Sequence, residues 1–171
     1  MKLLLLSLLA CKLLAAPQDV PKVASRPEMA ATVFFQVRVD ERPEVKVTAE
    51  DLAKMQRHSV TVEEHGKQVQ YDGVWLHDVL AGLGVPFGAA LRGKALASYM
   101  LATGRDGYAV VYTLTEMDTA FSAGDLMLAD KVNGKPLPET QGPLRIVAPH
   151  DKKPARSLRM LQRIDVVSLR K

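Results

Sequence analysis

The sequence predicts an α+β domain of mixed, mainly antiparallel sheets with a few short helices. Three observations lead there. Stretches of strand character outnumber helical ones, hairpin-type turns outnumber crossovers, and no glycine-rich phosphate loop joins a strand to a helix, so a doubly wound nucleotide fold is not indicated. The 171 residues, 47% hydrophobic and 25% charged, suit one domain with a real core and are too apolar for disorder.

The first strand is expected over Thr32–Val39, which is rich in β-branched and aromatic residues. Thr48 then caps a short helix running through Met55, with Asp51 placed three residues on to answer the cap. Ser59–Val62 reads as a second strand, His65-Gly66 as a turn, and Gln68–Tyr71 as the strand that pairs back. Leu76, Val79, Leu80 and Leu83 recur at helical spacing before Gly84 and Pro86 close the segment. Leu96–Ala102 and Tyr108–Leu114 flank the Gly104–Gly107 turn, and Thr115–Asp118 starts another short helix. Asp125–Asp130 and Lys135–Leu137 flank Asn133-Gly134, a dipeptide favoured in two-residue hairpins. Leu144–Ala148 and Ile164–Leu169 supply the last strands.

Ahead of this domain stands a different kind of segment. Met1-Lys2 is followed by an apolar run from Leu3 to Cys11, too short to span a membrane as a helix and of the form of a secretory signal peptide over residues 1–16. Leu8-Leu9-Ala10-Cys11 also resembles a bacterial lipoprotein cleavage box, which would leave Cys11 carrying a lipid anchor, so the type of signal peptidase stays open. Residues 17–31, with Pro17, Pro21 and Pro27, read as a linker to the domain at 32–171. The expected location is periplasmic or secreted. Of the 23 basic residues, Lys2 and Lys12 belong to the leader, which leaves 21 against 19 acidic ones, or +2.

That charge is local. Between Arg145 and Arg163 lie Arg145, Lys152, Lys153, Arg156, Arg159 and Arg163 with one acid, Asp151. Strand alternation would put Arg159 and Arg163 on one sheet face. Guanidinium forks suit a phosphate or a fused polar ring, while a solvated basic edge protecting a terminal strand accounts for the same residues. Nucleic acid is a poor partner, since the charge is low and no aromatic platform interleaves the basic residues. One cysteine allows neither an internal disulfide nor a multi-thiolate metal site, and His58, His65, His77 and His150 lack zinc spacing. No Ser-His-Asp constellation or acid–base pair emerges, so no catalytic residue and no metal ligand is assigned. Asp106-Gly107-Tyr108 reads as a structural turn, with Tyr108 a candidate pocket wall.

The runs Tyr71-Asp72-Gly73-Val74-Trp75-Leu76-His77-Asp78-Val79-Leu80, Leu126–Ala129, Asn133–Pro138, Gly142–Pro149 and Ala155–Ile164 together resemble the sulfite oxidase type of molybdopterin-binding oxidoreductase domain. The first is similar to that family's Y-x-G-V-x-L-x-x-L-L segment. Leu126–Ala129, Asn133–Pro138 and Gly142–Pro149 resemble its core block in order and spacing, and Ala155–Ile164 resembles its A-R-x-V-K-W-L-x-x-I ending. The similarity spans about residues 33–169. The resemblance implies the family's fold and an oxidoreductase ancestry, and it maps pterin contacts onto Arg145, Gln141, Arg156, Ser157, Leu158 and Arg159. It also implies a cysteine thiolate for molybdenum between the early helix and the G-V-x-L segment. Here Lys54–Tyr71 contains no cysteine, Gln141 stands for a histidine, Arg159 for a lysine and Met160 for a tryptophan.

The expectation is therefore an exported binding module on a molybdopterin-domain scaffold, without molybdenum redox turnover. Its ligand would be a pterin (molybdopterin without cysteine-ligated molybdenum), another small anion, or a protein partner. The alternative is a molybdopterin-dependent oxidoreductase whose metal shell is completed by a partner or an atypical ligand.

Overall fold

A computed structural model describes residues 34–122 and 124–170. The leader, the linker, Thr32 and Val33 lie outside the described residues, and so do the expected signal peptide and the lipid anchor at Cys11. Among the described residues no helix is long and apolar enough to cross a membrane.

The first sheet contains β1 (Phe34–Val39), β2 (Val45–Thr48), β5 (Ser98–Gly104), β6 (Ala109–Thr113) and β10 (Leu161–Ser168). Their spatial order is β2-β1-β10-β5-β6, with β1 parallel to β10 and the other pairs antiparallel. The second contains β3 (His58–Glu64), β4 (Lys67–Trp75), β7 (Met127–Val132), β8 (Lys135–Pro136) and β9 (Arg145–Val147). Its order is β3-β4-β7, and the short β8 and β9 both pair with β7, all antiparallel. The α+β class with mainly antiparallel sheets is thus what the chain adopts.

The sheets share one core. Phe35, Met100, Tyr112 and Ile164 of the first join Val74, Leu128 and Ile146 of the second in a single buried cluster. Alternation along β7 sends Met127 and Ala129 to the opposite face, where they meet Tyr71, Leu137 and Val147. Helix α2 (Leu76–Gly82) lays Leu76, Val79 and Leu80 on the main core, the face that its spacing predicts. The short helix α1 (Ala49–Ala53) begins at Thr48, whose side chain accepts from the Asp51 amide while the Asp51 carboxylate accepts from the Thr48 amide. A register shift between Asp72 and Gly73 brings β4 against β7 so closely that a Cβ on Gly73 would stand 2.1 Å from the Leu128 carbonyl oxygen.

Some elements differ from expectation. Val45–Thr48 forms an edge strand that was not foreseen, because four residues leading straight into a helix cap carry little strand signal. Leu114–Met117 is a single 3₁₀ turn, and Gly93–Ala97 is a 3₁₀ segment, so β5 starts two residues later than Leu96. Met160 has φ +50°, which places Arg159 in a turn before β10, off the strand on which it was to share a face with Arg163.

Candidate functional site

A cavity of about 520 Å³ opens where the ends of both sheets meet the loop before β10. The β3–β4 turn supplies Glu64 and His65, and the β5–β6 turn supplies Asp106 and Tyr108. Arg145 enters from β9, and Lys153, Ser157 and Arg159 come from the 152–159 segment. A second cavity of about 400 Å³ adjoins it, sharing Glu64, Pro154 and Ser157. The walls are fastened by local bonds. The Tyr108 hydroxyl donates to the Ala155 carbonyl at 2.7 Å, and Asp106 Oδ1 accepts from the Tyr108 amide at 3.0 Å. Gly104 has no side chain to obstruct the Arg159 carbonyl, which would lie 2.8 Å from a Cβ there, so the loop carrying Arg159 reaches the β5–β6 turn.

Arg145 is the chemical centre of the wall. Its side chain is 1% exposed. Nη1 donates to the Tyr71 hydroxyl at 2.5 Å and to Gln141 Oε1 at 2.8 Å, and Nη2 donates to Glu64 Oε1 at 2.6 Å. Its Nε has no partner, the one buried side-chain nitrogen or oxygen so left among the described residues. A buried cation tolerates such a place only with a counter-charge and hydrogen bonds, and Glu64 is that counter-charge. The Tyr71 hydroxyl donates in turn to Glu64 Oε2 at 3.2 Å. Burial pushes the Tyr71 hydroxyl above its ordinary range, while the positive charges of Arg145 and Arg159 oppose the shift.

The other residues singled out from the sequence separate into groups. Ser157 and Arg159 line the cavity beside Arg145, and the Ser157 hydroxyl also accepts from the Ala148 amide at 3.1 Å. Gln141 stands behind Arg145 as its hydrogen-bond acceptor. Leu158 does not line the cavity: its side chain is fully buried in the main core, and its carbonyl accepts from the Ile146 amide. Arg156 turns away to Asp151 and Glu116, and these hydrogen bonds raise its pKa further above the ordinary arginine value. Arg163 is bound to Asp165 and Glu44 in the first sheet. So of the six clustered cations, three are neutralised by carboxylates, whereas Lys152, Lys153 and Arg159 have no carboxylate partner among the described residues.

Sequence reading missed Glu64, His65 and Tyr71 as site residues. Glu64 and Arg145 are 81 positions apart, and no local pattern announces their pairing. His77, read as a surface or core-edge residue, is one-third exposed and lies 2.7 Å from Asp125 at the start of α2, outside the cavity. Burial is the leading cause that raises the Asp125 carboxyl, against the hydrogen bond from His77.

The donor set is suited to anions. The cavity lining includes Arg145, whose buried Nε has no acceptor, a further guanidinium, an ammonium and a hydroxyl. It is poorly suited to a soft metal, since no cysteine and no group of three His, Cys, Asp or Glu able to hold an ion occurs among the described residues.

Comparison with known proteins agrees with this architecture. The family model described as the oxidoreductase molybdopterin binding domain matches residues 23–171. Among solved structures, the chain is similar to one in the crystal structure of the sulfane dehydrogenase SoxCD from Paracoccus pantotrophus. The two are 19% identical with a TM-score of 0.59, over 80% of this chain and 38% of that one. This chain therefore spans well under half the length of that relative, and the likeness concerns the fold. No curated protein sequence matches.

Proposed function

We propose, for a chain that belongs to the oxidoreductase molybdopterin binding domain family, that this member is an exported binding module without molybdenum turnover. The membership makes it a molybdopterin-binding domain of the sulfite oxidase type, and it implies a molybdopterin cofactor. In such a domain the cofactor carries the redox chemistry, while side chains bind and orient it. The residues here fit the organic, anionic part of that group. In this reading Arg145, Arg159 and Ser157 hold it and Lys153 adds charge at the rim, while Gln141, Arg156 and Leu158 support the wall from behind. They do not fit its metal, because the lining offers no soft donor.

One observation carries the reading. Within Lys54–Tyr71, where the family resemblance implies a thiolate, the side chains that reach the larger cavity are those of Glu64 and His65, and Glu64 is held by Arg145 at 2.6 Å. A carboxylate already committed to a buried arginine is a hard, occupied donor in place of a soft, free one. The second reading draws on the same two side chains. In it the chain is an oxidoreductase whose metal shell is completed by Glu64, His65 or a partner subunit docking beside the half-exposed Tyr108. Export, with cleavage after the leader or lipidation at Cys11, belongs to both.

The test is to purify the chain from a host that makes the cofactor. Molybdenum is measured by mass spectrometry and pterin by fluorescence after acid oxidation. Pterin without stoichiometric metal supports the binding module, stoichiometric molybdenum overturns it in favour of the oxidoreductase, and the absence of both overturns the two readings together. Replacing Arg145 and Arg159 jointly by alanine should abolish the pterin signal. The intact mass of the exported form distinguishes simple cleavage from a lipid anchor.

A further inference from the structure

We propose that Glu64 is a resident counter-ion of the larger cavity, and that its ligand carries a phosphate-type anionic group which displaces this carboxylate from Arg145. The inference rests on the reading of that cavity as a ligand site and specifies how it opens.

The guanidinium of Arg145 has five N–H donors in a plane. Tyr71 and Gln141 take the two on Nη1, Glu64 takes one from Nη2, and Nε has no acceptor. A buried N–H without an acceptor is disfavoured, and a single carboxylate contact leaves the fork of Nε and Nη2 half used. A tetrahedral oxyanion is the class of acceptor that fills such a fork with two oxygens. Lys153 and Arg159 stand on the same cavity without carboxylate partners, whereas Arg156 and Arg163 further along the cluster are each tied to two. With Glu64 displaced, three cations would face the ligand and Asp106 alone would oppose them.

The displaced carboxylate has somewhere to go. Glu64 lines the adjoining 400 Å³ cavity as well, where Lys152 has no carboxylate partner among the described residues. Asp151 in that cavity is already engaged by Arg156, and Glu63 is the remaining like charge there. The Glu64 side chain is 13% exposed and already borders both cavities. Glu64 would thereby set selectivity: a weak or neutral ligand head would not compete with it, and a phosphate-type head would.

Inorganic pyrophosphate is titrated into the full chain, free of pterin and metal, by calorimetry and by nitrogen-resolved proton spectra of the arginine Nε–H groups. In the wild type the Arg145 Nε–H signal, identified by its loss in Arg145→Lys, should shift as pyrophosphate saturates. Glu64→Gln should bind pyrophosphate about tenfold more tightly or better. An unmoved Nε–H signal at saturation overturns the proposal, and so does equal or weaker binding by a folded Glu64→Gln. If Glu64→Gln does not fold, Glu64→Asp, which draws the carboxylate back by one methylene, should show a smaller gain in affinity, and no gain overturns the proposal. Pyrophosphate binding as described together with failed pterin loading would strike the function proposed above and leave this inference standing. Pterin loading with no effect of Glu64 would do the reverse.

Discussion

Arg145 lies over the ring of Tyr71, its guanidinium carbon 4.7 Å from the ring centroid, while its Nη1 donates to the hydroxyl of the same tyrosine. The contact bridges β9 and β4 across β7, since Arg145 pairs with Ala129 and Tyr71 with Val132 on that strand. Glu64 completes the set, so three separated segments are bound by one buried charge.

Removing different members of this set should have unequal effects. Glu64→Ala leaves Arg145 buried without its counter-charge and should cost about 3–5 kcal/mol of folding stability. Tyr71→Phe removes one acceptor while Gln141 and Glu64 remain, and should cost about 1 kcal/mol. Denaturant unfolding measures both, and equal losses would contradict the central place given to the ion pair.

Gly73→Ala should be among the more damaging small substitutions. The new methyl would stand 2.1 Å from the Leu128 carbonyl oxygen and 2.8 Å from Ala129 Cα, both main-chain atoms of a paired strand. Neither can yield without breaking the β4–β7 ladder. The expected loss is at or above the upper end of the range of about 1–3 kcal/mol for overpacking. An unchanged melting temperature would refute the close approach.

Leu158→Ala separates scaffold from contact. The side chain is fully buried, so truncation should cost about 2–5 kcal/mol of stability. Because the Leu158 side chain lies in the main core and does not line the cavity, pyrophosphate affinity measured well below the melting temperature should change little. A selective loss of affinity without a loss of stability would show that the side chain meets the ligand.

Acid should weaken the first sheet through Asp165. Hydrogen bonds from Arg163 hold this carboxyl below its ordinary range, with Arg38 assisting. The folded protein thus takes up the proton less readily than the unfolded chain. The stabilisation is fully present above the unfolded value of about 3.9 and is lost as pH falls through the lower folded value. Asp165→Asn should therefore be less stable than the wild type at pH 7, with the gap closing as pH drops below about 4. A gap that widened in acid would reverse the sign.

What was legible in the sequence was what is decided locally. Asn133-Gly134 and His65-Gly66 occupy the turns they announce, each pair with positive φ. Thr48 and Asp51 form the reciprocal cap that their spacing suggests. The face of α2 follows from the positions of Leu76, Val79 and Leu80. The site was legible in its cations and in Tyr108 and Ser157 of its wall, but not in its ion pair, because charge density survives in one dimension while pairing does not. Nothing near Arg156 or Arg163 indicates that distant carboxylates, Glu116 and Glu44, have already claimed them. Nor could alternation place Arg159, since the left-handed Met160 resets the chain just before β10 and sends the two arginines to different destinations.

Among the described residues, the last strand in sequence is the middle strand of the first sheet, seated between β1 and β5. During synthesis the growing polypeptide can make the β1–β2 and β5–β6 hairpin pairs, but the seam between them stays open until residues 161–168 emerge. The sheet is thus closed by a strand that follows all its partners in the chain. A ribosome that stops before residue 161 would release two half-sheets with naked edges.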